Sequence, residues 1–314
     1  MSNLTLRILV AVVAIPLILL LGMMGGYFFF LCIAVISCIA LFEFYGLAKA
    51  KGISPNVVAG LVFGICINAV FVFDRLKFAV PGALKPVGPA IPLPTTPQFL
   101  LIVMLALVLL ALVMELFRKK GSALLNVGIT ILGVCYVSLF LGSLVGLREL
   151  FVPGDFPVYR YFDIIGVGVP PDVVTKIDRW GGLTVATVFA SIWLCDSAAY
   201  FAGLGFGKHK LFERISPNKT WEGAIAGFVA AVAAFVVAKV LLLGYMTVTS
   251  AVICGCIVGI FGQIGDMVES VIKRDAGVKD SSALIPGHGG MLDRFDSLIF
   301  VSPLIYLYIN FVVF

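Results

Sequence analysis

Residues 98–117 read QFLLIVMLALVLLALVMELF, twenty residues with a single charge at Glu115. About 20 apolar residues is the length at which an α-helix, rising 1.5 Å per residue, crosses a hydrocarbon core of about 30 Å. Working outward, comparable runs recur at roughly 4–21, 27–47, 56–73, 125–147, 184–204, 222–243, 247–265 and 298–314, nine in all. The whole chain of 314 residues is 61% hydrophobic and 12% charged, with a mean hydropathy of +1.13. Soluble domains carry about 25% charged residues, so an ordinary soluble fold is excluded. The runs are continuous rather than short and alternating, which excludes a membrane β-barrel. The expectation is an all-α polytopic membrane protein of about nine transmembrane helices.

Connections and small residues refine this layout. GMMGG, residues 22–26, suits a tight hairpin between the first two spans, and KAKGISPN is a short turn between the second and third. Arg7 precedes the first apolar run, but no convincing cleavage site follows, so that run reads as a retained helix without a transit peptide. Two long connections, 74–97 and 148–183, read as a cap or linker. GxxxG spacings at Gly22/Gly26, Gly142/Gly146, Gly223/Gly227 and Gly255/Gly259 permit close helix packing, with a homodimer as a secondary possibility. Seven cysteines all lie in apolar runs and form no CxxC pair, so they read as packing residues.

Orientation follows from Lys and Arg in the loops. One side receives Arg7, Lys49, Lys51, Arg118, Lys119, Lys120, Lys208, Lys210, Arg214, Lys219, Lys273, Arg274, Lys279 and Arg294. The other receives half as many: Arg75, Lys77, Lys85, Arg148, Arg160, Lys176 and Arg179. The richer side is assigned to the cytoplasm, in a membrane expected to be a bacterial plasma membrane. The chain divides into an N-terminal transmembrane region, 1–182, and a C-terminal catalytic region, 183–314.

Ionisable groups beside lipid are costly and mark function by default. They gather in three clusters on the richer side. The first, CDSAAYFAGLGFGKHK (195–210), places Asp196 in an apolar span; Gly203, Gly205 and Gly207 miss the spacing of a phosphate loop and read as a helix end. The second, SPNKTWEG (216–223), reads as a helix start capped by Ser216 or Asn218, with Lys219 and Glu222 unexplained by capping. The third, GDMVESVIKRDAGVKDSSALIPGHGGMLDRFD (265–296), is the richest. Asp266 and Ser270 share a helix face, Glu269 and Lys273 form an i,i+4 pair, and Asp293 and Asp296 are three apart. Three carboxylates able to converge, with Lys and Arg beside them, suit a hard cation facing phosphates. The IPGHGG turn offers backbone amides, and His288, without a second His or Cys, does not make a zinc site. No Ser-His-Asp or Cys-His set is evident, and no basic aromatic stripe points to nucleic acid. Phosphoryl or nucleotidyl transfer onto a lipid is the chemistry that fits, because it needs positioning and charge neutralisation more than a strong base.

The stretch from Ser270 to Asp296 resembles the signature of the phosphatidate cytidylyltransferases, or CDP-diacylglycerol synthases. That pattern runs S-x-x-K-R, four residues, K-D, then P-x-H-G-G-x-x-D-R-x-D, and every fixed position is matched, from Ser270, Lys273, Arg274, Lys279 and Asp280 to Pro286, His288, Gly289, Gly290, Asp293, Arg294 and Asp296. The likeness covers roughly residues 190–314. It implies the reaction of CTP with phosphatidic acid to give CDP-diacylglycerol and pyrophosphate, with Mg²⁺ in a two-metal arrangement. It further implies Asp266, Asp293 and Asp296 as metal ligands, and Ser270, Lys273, Arg274, Lys279, His288 and Arg294 on phosphates. Asn218, Lys219 and Asp196 are candidates for substrate binding. Two other readings are a CTP-dependent kinase of a polyprenol or similar lipid, and an ion or solute transporter using Asp196, Glu222 and Asp266. Against the transporter stand the one-sided clustering of charge and the lack of an internal repeat.

Overall fold

The computed structural model describes residues 3–79, 93–119, 121–152, 154–162, 168–285, 287 and 289–314. The chain is built almost entirely of helices: α1 Asn3–Met24, α2 Gly26–Ala50, α3 Val57–Val70, α4 Phe73–Ala79, α5 Thr96–Leu116, α6 Ala123–Glu149, α7 Val158–Tyr161, α8 Pro171–Phe206, α9 Trp221–Leu241, α10 Val248–Asp275 and α11 Leu292–Val313. Among the described residues seven helices are long and apolar enough to cross a membrane: α2, α5, α6, α8, α9, α10 and α11. Two shorter apolar stretches, Val10–Met24 in α1 and Val57–Val70, accompany them. Among the described residues two strands form an antiparallel hairpin between α8 and α9, β1 Lys210–Phe212 paired with β2 Ser216–Thr220, and an isolated antiparallel bridge joins Ile285 and Gly289.

The hairpin corrects one expectation. Ser216 and Asn218 do not cap α9; they belong to β2, and Thr220 is the cap, its hydroxyl accepting from the Gly223 amide at 3.2 Å. Ser, Asn and Thr are all good caps, and the strand pairing decides among them. The connection 148–183 is also shorter than expected, because α8 already begins at Pro171. At 36 residues α8 is about 54 Å long, well beyond an apolar core of about 30 Å. Its first three turns carry Asp172, Lys176, Asp178 and Arg179, so hydropathy alone does not betray them.

Lipid is as apolar as Leu, so helices associate in it through close packing. The glycine pairs supply this within the chain. A Cβ on Gly223 or Gly227 would lie 2.6 and 2.8 Å from the carbonyls of Ala199 and Cys195 on α8; one on Gly255 or Gly259 would lie 2.5 and 2.9 Å from the Cα atoms of Val232 and Phe228 on α9. Gly142 and Gly146 face the Phe71 ring, Gly22 faces Val185, and Gly26 faces Arg75. All four spacings are thus used inside one chain, and a homodimer would need another surface.

One end of the bundle is tied by Arg148, 1% exposed at the end of α6. Its Nε donates to the carbonyl of Gly22 at 3.0 Å, and Nη2 to Met23 at 3.2 Å and Asp178 at 2.5 Å, joining α1, α6 and α8. Gly25, at φ 63°, closes the α1–α2 hairpin against this guanidinium, where a Cβ would sit 2.6 Å from its carbon. Phe151, Phe156, Trp180, Tyr245 and Phe314 pack beside it, and Arg160 Nη1 donates to the last two carbonyls at 2.9 Å. The described part of 148–183 is therefore an ordered aromatic cap.

Candidate active site

The opposite end carries the chemistry. α10 brings Asp266, Glu269, Ser270 and Lys273 to it, α11 begins there with Asp293, Arg294 and Asp296, and the connection between them holds the rest of the signature. α8 contributes Asp196, and the hairpin contributes Asn218 and Lys219. Pro286 and His288, the latter expected on phosphates, lie outside the described residues.

Asp266 anchors the first group. Its Oδ2 accepts from Lys219 Nζ at 2.6 Å and its Oδ1 from the Ser270 hydroxyl at 3.4 Å, as the one-face spacing predicts. The charge on Asp266 is felt by both Asp196 and Asp296, and Asp196 acts on Asp296, so these three carboxylates form one electrostatic group. Lys219 and Arg294 are the cations that reach Asp196. Asp296 Oδ1 also accepts the Ser297 amide at 2.6 Å.

Asp293 belongs to a different group. It is 7% exposed. Its Oδ1 accepts from Lys273 Nζ at 2.6 Å; its Oδ2 accepts the amides of Gly290 and Ser281 at 2.7 and 2.9 Å, with the Ser281 hydroxyl at 3.0 Å. Lys273, itself buried, also contacts Glu269, which is 0% exposed. Lys273 and Asp293 are thus committed to each other and to the loop. Arg274 turns to the helix end, donating to the Val278 carbonyl at 3.1 Å. Lys279 and Arg294 remain exposed.

Two cavities flank these groups. One, about 520 Å³, lies between α8, the hairpin, α9 and α10, and is lined by Asp196, Tyr200, Leu204, Asn218, Lys219 and Asp266. Tyr200 and Leu204, 65% and 75% exposed, give this cleft an apolar side on the surface of α8. The other, about 530 Å³, lies over the signature connection and is lined by Lys279, Asp280, Ser282, Gly289 and Arg294 among others. Arg294 lines the second, and its charge favours the ionised form of Asp196 in the first.

The donor set suits a hard cation in part. Asp196, Asp266 and Asp296 offer only oxygen, yet among the described residues no three His, Cys, Asp or Glu side chains form a ready metal cage. Mg²⁺ needs only one or two carboxylates, its other positions going to water and substrate phosphates, so these oxygens fit it as part of a ligand set.

The sequence matches the cytidylyltransferase family over residues 5–312. The chain belongs to that family. It is 32% identical to the phosphatidate cytidylyltransferase of Synechocystis sp. over 317 residues, which cover 97% of this chain and 96% of the relative. It is 30% identical to the phosphatidate cytidylyltransferase of Bacillus subtilis, with 96% and 95% covered, and 32% identical to that of Brucella suis, with 98% and 94% covered. The likeness thus spans the N-terminal helices as well as the signature.

Two residues of this cytidylyltransferase reach the site from those N-terminal helices without a motif to announce them. Glu43 of α2 is 5% exposed and accepts hydrogen bonds from Ser281, Ser282, Met291 and Leu292. Tyr136, on a π-helical turn of α6, is 7% exposed, and its hydroxyl lies within electrostatic reach of Asp296 and Glu269 with no hydrogen-bond partner among the described residues. The signal for Glu43 was available: it is a carboxylate inside an apolar span, and such a group needs partners.

Proposed function

We propose that this cytidylyltransferase transfers the cytidylyl group of CTP to phosphatidic acid, giving CDP-diacylglycerol and pyrophosphate for phospholipid synthesis. One observation carries the reading: at one end of the bundle a cleft with an apolar outer side holds Asp196, Lys219 and Asp266, and a second cavity at the same end holds Lys279 and Arg294. A lipid phosphate entering the cleft comes upon Lys219 and Asn218, and a polyphosphate in the other cavity comes upon Lys279 and Arg294. The relatives named phosphatidate cytidylyltransferase support the same substrates.

A phosphatidate oxygen attacks the α-phosphorus of CTP in line, and the bond to the β-phosphate bridging oxygen breaks. A phosphate monoester is already ionised near pH 7, so no proton must be removed and no general base is needed. Lys279 and Arg294 take up the charge gathering on pyrophosphate, and Lys219 orients the acceptor phosphate. Asp266 and Asp296, with Asp196 beside them, are the residues that would hold Mg²⁺. When bound, the metal neutralises phosphate charge and makes the α-phosphorus more electrophilic. Asp293, buried and held by Lys273, two backbone amides and the Ser281 hydroxyl, shapes the connection. The reading places this end of the bundle in the cytoplasm of a bacterial plasma membrane, where CTP is available.

The test is purified protein in detergent with Mg²⁺, phosphatidic acid and CTP labelled in separate α- and γ-phosphate experiments. CDP-diacylglycerol and pyrophosphate should appear in equal amounts. Release of CDP with transfer of the γ-phosphate would replace this reading with a lipid kinase.

A further inference from the structure

We infer that Glu43, a residue of the N-terminal half, is a positioning residue for the nucleotide side of the site. The inference rests on the cytidylyl-transfer reading and adds to it a residue far outside the signature.

The geometry is a clamp with two donors on each oxygen. Oε1 accepts from the Ser282 hydroxyl at 2.6 Å and the Met291 amide at 3.0 Å; Oε2 accepts from the Ser281 hydroxyl at 2.9 Å and the Leu292 amide at 2.8 Å. Ser281 and Ser282 stand where the signature connection leaves toward its Pro-Gly turn, and Met291 and Leu292 where it returns into α11. Glu43 therefore holds both ends of that excursion together. The single proton of the Ser281 hydroxyl lies between Glu43 Oε2 and Asp293 Oδ2, so the two carboxylates share it. Gly290 is the residue that lets them close: a Cβ there would lie 2.0 Å from Ser281 Oγ and 2.5 Å from Glu43 Oε2.

The clamp also determines what the start of α11 can do. The first amides of a helix lack partners within it and commonly bind anions. Here Asp293 takes the Gly290 amide and Glu43 takes those of Met291 and Leu292. Backbone amides of the glycine turn were expected to receive phosphate; that of Gly290, and those of Met291 and Leu292 just after it, are already used by protein carboxylates. The exposed cations that line the cavity over this connection are Lys279 and Arg294, one on each limb of the excursion that Glu43 fixes. Displacing catalytic groups by about 1 Å costs about 10²-fold in rate. The other cleft is lined by α8, the hairpin, α9 and α10, and the Glu43 hydrogen bonds go instead to Ser281, Ser282, Met291 and Leu292.

Glu43→Gln keeps the shape but turns one acceptor oxygen into a donor, so it cannot accept from both the Met291 and Leu292 amides together with both serines. Glu43→Asp keeps the charge and shortens the reach. The experiment measures melting temperature and steady-state kinetics per folded molecule for the full-length protein in detergent, varying CTP, phosphatidic acid and Mg²⁺ in turn. The expected result is a loss of at least tenfold in kcat/KM for CTP and a higher half-saturating Mg²⁺ concentration, with the KM for phosphatidic acid within twofold of wild type and Asp intermediate. If Gln does not fold, Asp alone decides. A folded variant with wild-type kcat/KM for CTP overturns the inference, as does an equal rise in both KM values. A wild-type protein that forms no CDP-diacylglycerol overturns the underlying reaction instead.

Discussion

Asp293 and Asp296 stand three residues apart at the start of one helix, and their surroundings assign them different work. Asp296 joins Asp266 and Asp196 in a group of like charges, which favours a bound cation or a substrate-borne one. Asp296→Asn removes a ligand without removing packing volume. It should lower turnover at least 10³-fold while leaving the melting temperature within a few degrees, as measured by CDP-diacylglycerol formation beside a thermal melt. Lys273→Met should behave in the opposite way. It leaves Glu269 and Asp293 buried without their shared cation, and breaking a buried ion pair costs about 3–5 kcal/mol. The expected readout is a clear fall in melting temperature, with activity lost in step with folded protein. Spacing showed in the sequence that Asp266 and Ser270, or Glu269 and Lys273, share a helix face, and both pairs do. Spacing does not report depth, and the resemblance, which implies Asp293 on metal and Lys273 on phosphates, does not report it either. Burial against Ser281 and Gly290 separates them from the exposed Lys279 and Arg294.

At the scale of elements, α8, α9 and α10 are held together by glycines rather than by large apolar knobs. Gly255 has no room for a side chain, because a Cβ would meet the Val232 backbone at 2.5 Å and only helix separation could relieve it. Overpacking of this kind costs about 1–3 kcal/mol, so Gly255→Ala should lower the melting temperature in detergent without changing the oligomeric state. A changed oligomer with an unchanged melt would mean that this face meets another chain. The glycine pairs, the α1–α2 hairpin and most helix cores were legible because each is a local pattern. Two features were not. The start of α8 carries charge that hides it from a hydropathy reading, and the Ser216–Thr220 strand is fixed by its pairing with Lys210–Phe212, which a five-residue window cannot show. Glu43 is the extreme case: its partners lie 238–249 residues away, so only the assembled bundle reveals them.

At the scale of the whole molecule, the two ends of the bundle differ in kind. One is closed by Arg148 and the aromatic cap. At the other, Lys51 pairs with Asp275 at 3.2 Å, Arg118 donates to the Ser54 carbonyl, and Lys219 pairs with Asp266, so connections from both halves of the chain gather around the signature. The cation-rich loops inferred from sequence are therefore neighbours in space. Lys and Arg are retained on the cytoplasmic side during insertion, and the proposed reaction draws on soluble CTP, so the charge bias and the proposed chemistry favour the same orientation. In a background with all seven cysteines replaced, Glu213→Cys on the β-hairpin and Tyr159→Cys in the cap each place one thiol on an exposed surface. A membrane-impermeant maleimide should label the Tyr159 position but not the Glu213 position from outside intact bacterial cells, and the reverse in inverted vesicles. Labelling of the Glu213 position from outside would put the carboxylate group on the side without CTP and would contradict the reaction proposed for it.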